Sequence, residues 1–355
     1  MRLPSGRHQV FLGAAVVSVL LVVSGVLVWW RGPEWNLVWN AFRLVSWQWV
    51  AAALGLNLLS VFARALAWRT VVDQAVAPSP PFGRVFSAYS VGLLGNAALP
   101  GRVGELARVA VLSRRMKRGH GATATLLGTV FAHRVFDLFP ALVLIAYVLL
   151  TAEIPHWAVT SLVLAAGVGV VLFGFALVGG RIRQHPALHE LGRARRLIST
   201  ARRGLGVMKS PVAAVIAIWF QSLGWFLQLI AVWAAMQAFE IDAPLHAAAL
   251  VLLLMNVATV FPLWPGNVGL VQAAVALPLV SYGVAYARGF AYGIGVQMIE
   301  VAVGVGLGLG FLAHEGLSFA TLKEMPETEE ELIEAQPDSG PLEADAEPTR
   351  ARMSG

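Results

Sequence analysis

The feature that most constrains this chain is a succession of apolar windows, each about as long as a bilayer core is thick. Residues 10–30, 45–68, 122–150, 157–179, 211–238, 245–263 and 289–313 are each long enough for a helix to cross hydrocarbon. Two more stretches, 85–99 and 267–283, are short for a crossing; Pro100-Gly101 follows the first and Pro278 lies inside the second, as in re-entrant segments. Lipid offers no partner to a backbone N–H or C=O, so such a chain spans as helices. The expected fold class is an all-α polytopic membrane protein with about 7–9 membrane segments. Composition agrees: 57% of the 355 residues are hydrophobic and 13% charged, more apolar surface than a soluble fold can cover. The absence of cysteine excludes disulfides and thiolate chemistry.

Charge is distributed unevenly. Residues 323–355 hold ten acids against Lys323, Arg350 and Arg352, leaving 23 basic and 10 acidic residues over 1–322. The basic surplus therefore belongs to the membrane body, where its loops should meet anionic lipid; it is no nucleic-acid signature. The loop 113–118 carries Arg114, Arg115, Lys117 and Arg118, and 180–209 carries eight basic residues, whereas 151–157 and 239–243 carry none. A cytoplasmic N-terminus satisfies all four loops and makes the C-terminus cytoplasmic too. At 21 residues the first apolar window exceeds a signal-peptide core and is expected to stay as a span. Two domains follow: a helical membrane domain over 1–320, with halves about 10–150 and 157–315 and a basic cytoplasmic segment at 180–209, and an acidic, disordered cytoplasmic tail over 321–355. Residues 187–208 have the pattern of a helix lying on the cytoplasmic surface.

One short self-similarity stands out. Pro100-Gly101-Arg102-Val103-Gly104 returns as Pro265-Gly266-Asn267-Val268-Gly269, an offset of 165 that also carries 45–68 onto the span at 211–238 and 122–150 onto the last span. The first half begins inside and the second outside, so two inverted repeats are expected, each with a Pro-Gly re-entrant or broken helix. The alternative is that Pro-Gly merely ends helices at ordinary turns.

Charges at membrane depth are candidates for function. Asn96 precedes the first Pro-Gly; Pro100 and Gly101 open the chain, Gly104 permits close backbone approach, and Arg102, Glu105 and Arg108 follow at i, i+3 and i+6. Two arginines can grip a phosphate through forked N–H donors, with Glu105 orienting them. Arg134 and Asp137 are spaced for an intrahelical pair about 18 Å into their span. His133 beside them reads as a packing residue. In the second half, Asn267, Gln272 and Glu300 are the polar candidates around the turn Pro265, Gly266 and Gly269; Glu300, with no base in its own span, is expected to pair with Arg134 or Arg102. Gln221 and Gln228 lie two turns apart on the fifth span. Gly289, Gly293, Gly304 and Gly308 form a close-packing face on the last. No phosphate loop, H-E-x-x-H or G-x-S-x-G motif occurs, and neither a metal nor a cofactor is expected.

Taken together, Asn96, Leu99 to Glu105, Arg108, the Arg134 and Asp137 pair and Pro265 to Gly269 resemble the lysylphosphatidylglycerol synthase transmembrane-region family, a flippase-like membrane domain found alone or fused to aminoacyl-transferase domains. The resemblance covers about residues 10–315. This chain has Asn267 and Gln272 where the family usually has Gly and Glu, and His133 where it often has Glu. The resemblance implies a transporter, not an enzyme, that moves a polar phospholipid or lipid-linked precursor between leaflets of a bacterial-type cytoplasmic membrane, with a separately encoded transferase as a partner. Arg102, Arg108 and Arg134 would hold phosphate, and Glu105, Asp137 and Glu300 would balance charge. Two other readings stand beside it: an accessory subunit or enzyme of lipid or glycolipid modification, and a secondary transporter of a small anion.

Overall fold

The computed structural model describes residues 33–98, 104–114, 122–152, 154, 156–179, 210–260 and 267–314, together with Ser18. The helices in chain order are α1 (Trp35–Arg43), α2 (Trp47–Ala75), α3 (Phe82–Ala98), α4 (Gly104–Arg114), α5 (Ala122–Thr151), α6 (His156–Gly179), α7 (Pro211–Ala238), α8 (Leu245–Val260), α9 (Leu270–Leu279) and α10 (Tyr286–His314); a 3-10 turn, Val280–Tyr282, extends α9. No strand occurs among the described residues, and the fold is the expected all-α polytopic one. Trp47–Ala75, Thr125–Thr151, Pro211–Ala238 and Tyr286–His314 are long and apolar enough to cross a membrane. The first window, the surface helix at 187–208 and the acidic tail lie outside the described residues.

One window differs from its sequence reading: the second does not stop at residue 68. An Arg69–Asp73 ion pair of 3.4 Å, one turn apart, carries α2 on to Ala75. Within the window 245–263, the described part is the 16-residue α8, about 24 Å long, and residues 261–263 lie outside the described residues. This helix, α8, packs on the short α9 as α3 packs on the short α4.

The run α2–α3–α4–α5 has lengths of 29, 17, 11 and 30 residues, and α7–α8–α9–α10 has 28, 16, 10 and 29. Their starts, Trp47 and Pro211, Phe82 and Leu245, Gly104 and Leu270, Ala122 and Tyr286, all lie within two residues of the 165-residue offset. Packing repeats as well: α3 lies on α10, and α8 lies on α5.

The helices α2 and α7 pack along their length and run antiparallel. Ser46 N–H meets the Ala238 carbonyl at 2.9 Å, Trp49 meets Trp233 edge to face at 5.8 Å, and Val71 clusters with Ala217 at the other end. Midway, the Ser60 hydroxyl donates to the Gly224 carbonyl at 2.7 Å.

Small residues set the closest approaches. A Cβ at Gly95 would fall 2.7 Å from Gly104 Cα, so α3 and α4 touch backbone to backbone. The four glycines expected to form a packing face on α10 divide between two neighbours. Gly289 and Gly293 admit Ala276 and Gln272 of α9, while Gly304 and Gly308 admit Leu93, Leu94 and the Ser90 carbonyl of α3. At one end of the bundle, α1 crosses the ends of two long helices: Trp35 packs on Phe290 near the start of α10, and Phe42 on Phe239 just past α7.

Candidate functional site

Arg134 is the thirteenth residue of α5, about 18 Å from its start. Its Nε donates to Glu105 Oε1 of α4 at 2.8 Å, its Nη2 donates to the same oxygen, and its Nη1 lies 3.4 Å from Asp137 Oδ2. The expected intrahelical pair is therefore present, with Glu105 added from the neighbouring helix. Asp137 Oδ1 also accepts from Trp225 Nε1 at 2.9 Å and from Gln221 Nε2, both on α7. The Trp225 ring carries the Arg64 guanidinium of α2 at 5.2 Å. Arg64 Nη2 donates to Gln228 Oε1, and Gln228 Nε2 donates to Glu300 Oε1 of α10 at 3.0 Å. The result is a polar seam, Glu105–Arg134–Asp137–Trp225–Arg64–Gln228–Glu300, through four long helices and one short one.

The seam is open at one end. The Arg134 side chain is 43% exposed, Glu105 26% and Asp137 14%. An arginine that open, near the middle of an apolar helix, faces water or a polar ligand rather than hydrocarbon. Two carboxylates hold its fork in place, so the exposed edge is presented in a fixed orientation.

The remaining candidates divide. Arg108, on α4 with Glu105, turns inward and is 5% exposed, its guanidinium 4.9 Å from the Trp68 ring centre and 5.8 Å from that of Tyr89. His133 is buried against Tyr89. Asn96 Oδ1 accepts from Gly104 N–H at 3.1 Å and so caps the start of α4. Asn267, at φ 44°, donates to the Ala258 carbonyl at 2.8 Å. Gln272 accepts from Gly269 N–H at 2.6 Å and donates to Gln297. These three amides build turns. Gly269 has φ 91°, which glycine adopts without a Cβ clash. Pro100, Gly101, Arg102, Pro265 and Gly266 lie outside the described residues.

Of the two partners expected for Glu300, Arg102 lies outside the described residues and Arg134 is taken by Glu105 and Asp137; the Gln228 amide stands between Glu300 and Arg64. Arg64 is the residue that sequence reasoning missed. It lies near the end of the 45–68 window, whereas α2 continues eleven residues beyond it. Its signal was a lone arginine within an apolar run. Trp225 carried none, since its role depends on where Arg64 and Asp137 meet.

The fold and the seam define a polytopic helical membrane protein that holds paired charges within its long apolar helices. The chain belongs to the lysylphosphatidylglycerol synthase TM region family, whose model matches residues 10–308. It is similar to a UPF0104 membrane protein of Methanocaldococcus jannaschii, 23% identical over 58% of this chain and 86% of the relative. A UPF0104 membrane protein of Methanothermobacter thermautotrophicus is 24% identical over 73% of this chain and 82% of the relative. No solved structure matches.

Proposed function

We propose that this protein moves a polar phospholipid or lipid-linked precursor between membrane leaflets. The observation that carries the reading is the half-open Arg134, clamped by Glu105 and Asp137 near the middle of α5. A headgroup phosphate approaching the open end of the seam meets a fixed guanidinium edge, and a cationic headgroup meets Glu105 beside it. Because the seam joins helices from both halves of the chain, a headgroup bound at Arg134 is coupled to both.

Supporting the reading, α2–α5 and α7–α10 correspond in length, spacing and packing partners, and α2 and α7 run antiparallel. We take these as inverted repeats related by a two-fold axis near Ser60 and Gly224, the geometry of alternating-access transporters. The basic segments 113–118 and 180–209 then face anionic lipid on the cytoplasmic side with both termini, and a transferase encoded separately would supply the modified lipid.

The test is leaflet exchange of a fluorescent phospholipid in proteoliposomes. Arg134→Gln and Glu105→Gln each lower exchange by about tenfold or more, since a charge-assisted hydrogen bond contributes about 1.5–3 kcal/mol. Exchange at the protein-free rate with the wild type, or at the wild-type rate in both variants, overturns the proposal.

A further inference from the structure

Arg108 differs from the other two arginines at membrane depth. Arg134 holds two carboxylates, and Arg64 gives Nη2 to Gln228 with only its Nε left bare. Arg108 keeps both Nε and Nη2 buried without a hydrogen-bond partner among the described residues. Glu105, the only acid on α4, is bound to Arg134. The aromatic faces of Trp68 and Tyr89 attract the cation but supply neither an acceptor nor a counter-charge. His133, 2% exposed and edge-on to Tyr89 at 6.1 Å, has its Nδ1 unpartnered as well. Buried donors of this kind are costly to leave unmade.

The two bare nitrogens are adjacent. Nε and Nη2 form the side-on edge of a guanidinium, two parallel N–H donors whose spacing matches two oxygens of one phosphate. Trp68 spends its own Nε1 on Thr129 at 3.2 Å, so it acts as a wall rather than a competing donor. Gly92 lets the arginine lie there: a Cβ at that position would fall 3.1 Å from Arg108 Cβ and 2.8 Å from the Gly104 carbonyl oxygen.

We infer that the Nε/Nη2 edge of Arg108, walled by Trp68 and Tyr89 and accompanied by His133, is a receptor for a phosphate oxyanion, separate from the open edge of Arg134. The oxyanion is either the phosphodiester of a lipid headgroup or free phosphate; the lipid source rests on the transport reading above. With Arg108 closed in, the oxyanion enters when Glu105 releases Arg134 and α4 moves off α5.

The experiment follows melting of the purified full chain in detergent, titrated with phosphatidylglycerol, with diacylglycerol of the same acyl chains, and with inorganic phosphate. Phosphatidylglycerol raises the wild-type melting temperature by about 3 °C or more and diacylglycerol does not. Arg108→Gln abolishes the part of the shift that persists in Arg134→Gln, and His133→Gln reduces that part. Arg108→Lys keeps the stem and the cation over Trp68 but not the fork, so it folds and needs about tenfold more lipid for the same shift. A shift with phosphatidylglycerol alone assigns the site to a headgroup, and an equal shift with inorganic phosphate assigns it to the free anion. An undiminished shift in Arg108→Lys, or an equal one with diacylglycerol, overturns the receptor. Phosphatidylglycerol bound through Arg108 without leaflet exchange sinks the transport reading alone.

Discussion

Arg134 and Asp137 are three residues apart on one helix, yet they carry different loads. Asp137 is 14% exposed and gathers Arg134, Gln221 and Trp225, so it ties α5 to α7. Arg134 is 43% exposed, and pairs open to solvent contribute only about 0–1 kcal/mol. Asp137→Asn should therefore lower stability by about 1–3 kcal/mol, while Arg134→Gln leaves melting nearly unchanged and loses exchange. Melting in detergent beside exchange in proteoliposomes separates the two, and equal destabilisation by both variants would make Arg134 structural. At this scale the sequence was legible only where partners share a helix. The Arg134–Asp137 pair follows from its spacing. The Glu105–Arg134 pair joins residues 29 apart and depends on how the α3–α4 hairpin folds back. Of the two bases expected near Glu300, Arg134 is taken by Glu105 and Asp137 and Arg102 lies outside the described residues; the described partner is an amide, Gln228, which no spacing within one helix could have indicated.

Helix α10 is shaped by what it lacks. A methyl at Gly308 would run into Leu94 and come within 2.9 Å of the Ser90 carbonyl, which is backbone and cannot yield. Gly306, two residues earlier, meets nothing within 4 Å. Gly308→Ala should destabilise by about 1–3 kcal/mol through overpacking. Gly306→Ala should be neutral or stabilising by up to about 1 kcal/mol through helix propensity. Comparing the two melting temperatures checks the α3–α10 contact, and identical values would remove it. Long windows told the helices well, because apolar length is the signal that lipid imposes: 211–238 is α7 to the residue. Within the window at 245–263, the described helix runs from Leu245 to Val260. The α1 helix was not anticipated: at 9 residues it is below the length that a spanning window detects.

For the whole molecule, the 165-residue offset proved more informative than its five-residue match, because tertiary pairing as well as element order follows it. The chain's lack of cysteine makes it its own background for mapping orientation. Single cysteines at Ser199 and Asp242 should react with an impermeant thiol reagent from opposite faces of the membrane, Ser199 from the face that holds the N-terminus. Labelling of both from one face would overturn the assigned topology. One end of the bundle also carries a tryptophan cluster: Trp39 is 64% exposed and Trp47 76%, with Trp35 and Trp49 beside them. Indoles settle at the boundary between headgroups and hydrocarbon, and α1 lies against the end of α10 and beside the joined ends of α2 and α7. If one half rocks against the other, as the proposed transport requires, these rings are dragged up or down through that boundary, and the thickness of the host bilayer becomes a force on that motion.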